Sequence, residues 1–275
     1  MIANIFVKKF FYNNGIFVIT PTKDRLEDLK KMLESFAAQT RKPNQMQKLE
    51  IHISNRFNQL ACSPMFPAQL DAGDPQLAEV LEWFGDINNK SLLDAGCAKG
   101  RFSKALADMG AILTGIDPSE KFIATARENV PKAEFKIASV TDIPYEDNHF
   151  DGVLCLEVLE HVPDTEKAIS EMVRVLKPGG KIIIIDKNIL SLEPLYLMPT
   201  FLYKKIQEYR NKWMYPRNFP FREKYFTYGH IDRLLKKYCR SVQSEYLPNG
   251  RTPKAGRIYR RLPFLSFDIA WRAIK

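Results

Sequence analysis

Asp94, Gly96 and Gly100 stand in the run Leu92-Leu93-Asp94-Ala95-Gly96-Cys97-Ala98-Lys99-Gly100, and Asp117 closes a second apolar run seventeen residues past Gly100. An apolar strand that runs into an acid, a glycine-spaced turn and then a helix is the layout of a nucleotide-type site at the carboxyl ends of parallel strands. The turn reads D-x-G-x-x-x-G rather than G-x-G-x-x-G, so fewer glycines are available to bring backbone against a pyrophosphate. The implied ligand has a ribose and a cationic end but no phosphates.

A second group follows the fourth apolar run. Glu157, Glu160 and His161 are spaced i, i+3, i+4 and would share one face if helical. Three readings of them stand open. Two carboxylates and an imidazole can hold a divalent metal beside a substrate hydroxyl and lower its pKa. His161 can act as a general base, with Glu157 beside it. Or the segment is a structural turn in which His161 bonds to backbone.

The elements that must position these residues are legible as alternating strand and helix patterns, which argue for βαβ units and a parallel sheet. Strands are expected at Ser91–Asp94, Ala111–Asp117, Glu134–Val140, Phe150–Glu157 and Lys181–Asp186, and helices at Arg101–Met109, Ser119–Asn129 and Thr165–Leu176. Asp164 sits where an N-cap belongs, and Lys177-Pro178-Gly179-Gly180 reads as a helix stop and turn. Right-handed crossovers leave the strand carboxyl ends on one edge, so motif residues from separate strands converge on one crevice. A helix from about Asp74 to Phe84 precedes the first strand. Beyond Asp186, a helical stretch is expected near Thr200–Lys212, a helix at Tyr228–Tyr238 and closing strands at Val242–Leu247 and Leu265–Ala273.

The chain of 275 residues is long enough for one full α/β core and a smaller appendage. Its four cysteines (Cys62, Cys97, Cys155, Cys239) have no short paired spacing, which suggests neither a zinc site nor a disulfide framework and fits a reducing compartment. No apolar run reaches the roughly 18 residues that span a bilayer, and the start is not a signal peptide; a cytoplasmic location is expected, with peripheral membrane contact left open. The net charge of +9 is uneven, with 19 Lys/Arg against 6 Asp/Glu from Lys187 to Lys275. A basic tail can meet nucleic acid, an anionic membrane surface or a phosphorylated substrate, or be a solvated surface. In the insert at about 188–226, Trp213, Tyr215, Phe219, Phe221, Tyr225 and Phe226 alternate with Arg210, Lys212, Arg217, Arg222 and Lys224. Such a segment can cap a planar or lipid-bearing substrate, or form a satellite core with a solvated rim.

In this order, Asp94-x-Gly96-x-x-x-Gly100, Asp117, Phe150-Asp151 and Leu176-Lys177-Pro178-Gly179-Gly180 resemble the class I S-adenosylmethionine-dependent methyltransferases over roughly Leu77 to Lys275. The resemblance implies a Rossmann-like, doubly wound seven-stranded α/β sheet with the insert as a cap. It implies S-adenosylmethionine as cofactor, held by Asp94, Gly96, Cys97, Gly100, Asp117, Ser139, Val140 and Leu156. Asp94 would accept from the ammonium, the helix start after Gly100 would suit the carboxylate, and Asp117 would accept the ribose hydroxyls. Two departures stand out. Ala98 replaces a frequent glycine, which is tolerable if the backbone there is not left-handed. Ser139 stands where an acid commonly binds the adenine amine, while Asp142 keeps a later acid; the Val140 N–H can serve the ring whatever its side chain.

The E-x-x-E-H pattern is similar to that of ubiquinone-type O-methyltransferases, where it is linked to a divalent metal. Methyl transfer to a small-molecule, sugar or lipid-linked acceptor, at oxygen, is therefore expected. A non-catalytic cofactor-binding scaffold and a nucleic-acid methyltransferase are the alternatives, and the lack of an N-P-P-Y-type motif argues against the latter. Residues 15–45 resemble the opening strand and helix of a family 2 glycosyltransferase. The expected division is thus an appendage at 1–45 and a methyltransferase domain at 46–275.

Overall fold

The computed structural model describes residues 11–12, 15–16, 44–71, 73–193, 198–247 and 266–275. The chain divides into two compact units, Met1–Asn44 and Gln45–Lys275. In the first, β1 (Phe11–Tyr12) and β2 (Gly15–Ile16) pair antiparallel. The helix expected at Leu26–Ala38, and with it most of the glycosyltransferase-like stretch, lies outside the described residues.

The second unit opens on two helices, α1 (Gln45–Leu60) and α2 (Pro75–Phe84). Asp74 caps α2 by accepting from the N–H groups of Gln76 and Leu77, and Pro75 takes the first-turn position that needs no donor. The alternating units follow: β3 (Ser91–Ala95), α3 (Arg101–Asp108), β4 (Ile112–Asp117), α4 (Glu120–Asn129), β5 (Glu134–Ile137), β6 (Phe150–Leu156), α5 (Thr165–Val175) and β7 (Leu176–Lys187). A short ribbon, β8 (Leu192–Glu193) with β9 (Met198–Pro199), leads into α6 (Thr200–Tyr209). The chain ends on α7 (Tyr228–Leu235), β10 (Ser241–Leu247) and β11 (Asp268–Ile274). Asp164 caps α5 through the Lys167 N–H, as its position before Thr165 suggests.

The seven strands lie in the order β10-β11-β7-β6-β3-β4-β5, with β11 antiparallel to both neighbours and the rest parallel. This is the doubly wound sheet. Its order reverses beside β3, between β4 and β6, so a crevice opens at their carboxyl ends. On β7, Ile182 and Ile184 pack with α5 and α7, while Ile183 and Ile185 pack with α2, α3 and α4. All four isoleucines are buried, which is the period-2 pattern of a strand covered on both faces.

Three of the differences from the reading of the sequence lie in β7, the turn after β5 and α1. The strand expected from Lys181 begins at Leu176, because Leu176 pairs with Phe150 before the register shifts to Gly152 with Lys181. The Pro-Gly-Gly segment is therefore a bulge within β7, with Gly179 at φ +77°. The third strand stops at Ile137 rather than Val140; Ser139 instead bridges Asp142 in a tight turn. Helix α1 was not expected, although Ile53 and Phe57 sit one helical turn apart on its buried side. Among the described residues, no helix is long and apolar enough to cross a membrane.

Candidate active site

The loop after β3 is fastened to β4, because the N–H groups of Gly96 and Cys97 both donate to the Ile116 carbonyl at 2.8 and 2.9 Å. Gly96 has φ +90°, and a Cβ there would strike the Val158 side chain at 2.3 Å, so the close approach of loops after β3 and β6 requires glycine. Ala98 has φ +45°, which is left-handed, so the condition that made alanine tolerable in place of glycine does not hold. Its N–H donates to Asp117 Oδ2 at 3.1 Å. Gly100 caps α3 at φ +78° and is not among the cavity's lining residues.

The two strand-end acids are buried. Asp94 accepts from Ser103 Oγ at 2.6 Å, and burial pushes its pKa up to about 6. Asp117 accepts from the N–H groups of Ser119 and Ala98, and burial pushes it up to about 7. Neither makes an ion pair with a described residue. Both border a cavity of about 310 Å3, together with Gly96, Cys97, Ser139, Val140, Leu156, Glu157, Glu160 and His161. All the sequence-selected residues except Gly100 therefore meet at one opening. Phe57 of α1, Phe66 and Phe122 form an apolar wall over it, their rings 5.0–6.1 Å apart.

Glu157, Glu160 and His161 do not share a helical face. Glu157 has φ +57°, which breaks the helix, and only Leu159–His161 forms a 3-10 turn. The Glu157 carboxylate turns to Arg101 (3.6 Å) and Gln76 (3.4 Å), away from the other two. Glu160 and His161 instead meet Glu223 of the insert, with ligand atoms within 4.8 Å of one another. That group already holds two cations of its own. Lys187 is ion-paired to Glu160 Oε1, and Lys204 reaches Glu223 Oε2 at 3.2 Å. A divalent ion would have to share this space with two buried ammonium groups, so the donor set does not fit one. Nor does His161 bond to backbone through its ring. Its Nε2 faces Glu160 Oε1 at 3.2 Å and its Nδ1 faces the Tyr215 hydroxyl at 3.1 Å. Glu160 Oε2 is buried with no partner among the described residues. Lys187 and His161 hold Glu160 well below the usual carboxylate range, while burial and the nearby Lys187 lower the Lys204 pKa.

Ser139 is also placed differently from expectation. Its oxygen accepts from the Thr141 N–H, and its hydroxyl lies 2.8 Å from that of Thr141. Thr141 donates its one hydroxyl hydrogen to Glu50 Oε1 at 2.7 Å, so the hydrogen between the two hydroxyls belongs to Ser139. The serine is committed within its own turn.

The insert supplies residues that the spacing did not single out. Lys204 lies over the rings of Trp213 (4.8 Å) and Tyr225 (5.6 Å), and Glu223 accepts from Trp213 Nε1 at 3.1 Å. Tyr215, Phe219 and Phe221 pack with Phe57 and Phe122 as a satellite core. The insert's aromatic residues from Trp213 to Phe226 thus turn inward, and its cap roofs the cavity through Trp213 and Met214.

The fold is that of the class I methyltransferases. Residues 93–184 match the family model described as a methyltransferase domain. The ubiquinone biosynthesis O-methyltransferase of Alkalilimnicola ehrlichii is 34% identical over 132 residues, 46% of this chain and 52% of that protein. That of Coxiella burnetii is 37% identical over 106 residues, 37% of this chain and 45% of that protein. The chain thus spans about half the length of these relatives. A solved Thermotoga maritima structure, described as an S-adenosylmethionine-dependent methyltransferase and possible histamine N-methyltransferase, superposes with a TM-score of 0.56 at 19% identity. It covers 82% of this chain and 100% of its own, and it carries the fold alone. Over residues 93–184 the chain is thus similar to a methyltransferase domain, set in the class I methyltransferase fold.

Proposed function

We propose that the protein binds S-adenosylmethionine in the 310 Å3 cavity and methylates a hydroxyl oxygen of a small-molecule acceptor. The observation that carries this is the pair of buried acids, Asp94 and Asp117, at the opening of the sheet, neither of them in an ion pair with a described residue. Burial disfavours their charge, and a ligand with a cationic end relieves that penalty at Asp94. Asp117 keeps lone pairs free for the ribose hydroxyls. S-adenosylmethionine, when bound, supplies a methyl group already activated by its sulfonium. The chain's own work is to align the acceptor and exclude water, and the wall of Phe57, Phe66 and Phe122 serves the second purpose.

The acceptor's hydroxyl donates to Glu160 Oε2, the buried carboxylate oxygen that lacks a partner. Lys187 keeps that carboxylate ionised, so Oε2 can orient the hydroxyl and take its proton as the methyl group leaves the sulfur. His161 Nε2–H donates to the ionised Oε1 at 3.2 Å, and its Nδ1 accepts from the Tyr215 hydroxyl, so the imidazole holds Glu160 in place. Glu160 is the proton acceptor in this reading, His161 positions it, and Glu157 positions Arg101 beside Asp94. The names of the ubiquinone biosynthesis relatives support oxygen as the acceptor atom. A lipid-linked or sugar acceptor, with the basic C-terminal part against a membrane surface, is the finer reading. Exposed Leu190, Leu202 and Tyr209 on the insert support it.

Two measurements test the proposal. Calorimetry should detect S-adenosylhomocysteine binding to the wild type, weakened in Asp117→Ala by about 1–3 kcal/mol, the cost of lost buried hydrogen bonds. No binding by a folded wild type would overturn the cofactor reading. Methyl label from S-adenosylmethionine should pass into small-molecule or lipid fractions of a cell extract. Glu160→Gln should slow that transfer by about 10²–10⁴-fold without changing S-adenosylhomocysteine affinity. Label in RNA, or none at all, would count against a small-molecule acceptor.

A further inference from the structure

The turn after β5 borders the same cavity and presents an unpaired donor. The Val140 N–H has no partner among the described residues, although Val140 is buried and lines the cavity. Glu50 lines it too, from the second turn of α1. One oxygen of its carboxylate accepts from Thr141 Oγ1 at 2.7 Å, and the other has no partner among the described residues. No described cation pairs with Glu50. A half-buried carboxylate oxygen and a backbone N–H, both at the turn that flanks Asp117, make an acceptor next to a donor.

We infer that Glu50 is the specificity residue for the base of the nucleoside ligand, and that it selects a 6-amino purine over a 6-oxo purine. This rests on the cofactor reading above. The exocyclic amine of adenine donates, and the ring nitrogen beside it accepts. That edge matches the Glu50 carboxylate and the Val140 N–H in order. A 6-oxo purine presents a carbonyl oxygen to the carboxylate and a ring N–H to the Val140 N–H, so both contacts become repulsive. Ser139 is the weaker reader of the amine, because its hydroxyl hydrogen and one oxygen lone pair are engaged within the turn and only one neutral lone pair is left. Thr141 is a positioning residue. Its hydroxyl, backed by Ser139, fixes Glu50 Oε1 and leaves Oε2 for the ligand. The discriminating acid thus comes from the helix that precedes the sheet and not from a strand end.

The experiment is calorimetric binding of S-adenosylhomocysteine and S-inosylhomocysteine to the full chain. The wild type should prefer the adenosyl ligand by about tenfold or more, as expected for a charge-assisted hydrogen bond. Glu50→Gln should bring the ratio to about one or invert it, because the amide can donate to the 6-oxo group. Thr141→Val, which keeps the acid but frees its side chain, should lower the ratio in the same direction. Asp117→Ala should weaken both ligands together and leave the ratio unchanged. Binding of both ligands with the same preference in wild type and Glu50→Gln would overturn the role of Glu50 and leave the cofactor site standing. Failure of a folded wild type to bind either ligand would overturn both. Should Glu50→Gln melt differently from wild type, Thr141→Val decides: an unchanged ratio overturns the inference.

Discussion

Ala98 carries a conformational cost at the centre of the loop after β3. At φ +45° its Cβ lies in the left-handed region, where an L-residue other than glycine loses about 1–2 kcal/mol. The loop accepts this because the Ala98 N–H is needed at Asp117 Oδ2, and Gly96 and Cys97 are both pinned to Ile116. Glycine would relieve the strain but gain entropy in the unfolded chain, so Ala98→Gly should stabilise the protein by about 0.5–1 kcal/mol. Urea denaturation of the two proteins checks this, and a loss of stability would mean that the methyl group's packing outweighs the strain. The same residue shows what spacing alone could yield. The identity of Ala98 was visible, and so was the condition on its tolerance. Its φ depends on the tie to Asp117, nineteen residues away, and no local pattern encodes that.

Among the elements, the alternating core was legible because each strand and helix carries its own period. Boundaries at β3, β4, α3 and α4 fall within a residue or two of the patterns. The failures lie where long-range contacts overrule local signals. Pro178-Gly179-Gly180 reads as a turn, yet pairing of Leu176 with Phe150 draws it into β7 as a bulge. The spacing of Glu157, Glu160 and His161 reads as one face, yet close packing of Val158 against Gly96 accompanies a left-handed Glu157 that breaks the helix. Helix α1 was missed because its signal is modest and it precedes the motif. Its position is fixed only by partners far along the chain: Ser54 donates to Pro118 O, Arg56 to Met214 O, and Asn58 accepts from Ser119. Glu223 and Lys204 were hidden for a similar reason. Charged residues in a basic, aromatic insert look like a solvated rim, and only the fold shows them buried against each other.

At the scale of the whole molecule, buried acids set how stability responds to pH. Asp94 is raised to about 6, and Asp117 and Asp268 to about 7, in each case chiefly by burial. An acid whose folded pKa lies above its unfolded value favours folding when protonated. Stability from these three is therefore fully present below about pH 4 and is lost as pH rises through about 6 to 7. Glu160 works in the opposite sense, since Lys187 and His161 hold it low and its contribution disappears in stronger acid. The unliganded protein should accordingly be most stable in mild acid and weaken toward neutral pH. Ligand changes the balance. A cationic group at Asp94 favours the ionised form, so binding releases protons between about pH 5 and 7 and tightens as pH rises. Thermal melts from pH 4.5 to 8, with and without saturating S-adenosylhomocysteine, should show a ligand-induced rise in Tm that grows with pH. A rise of equal size at every pH would mean that the ligand's cationic end does not meet Asp94, and would move its binding partner to another group at the cavity.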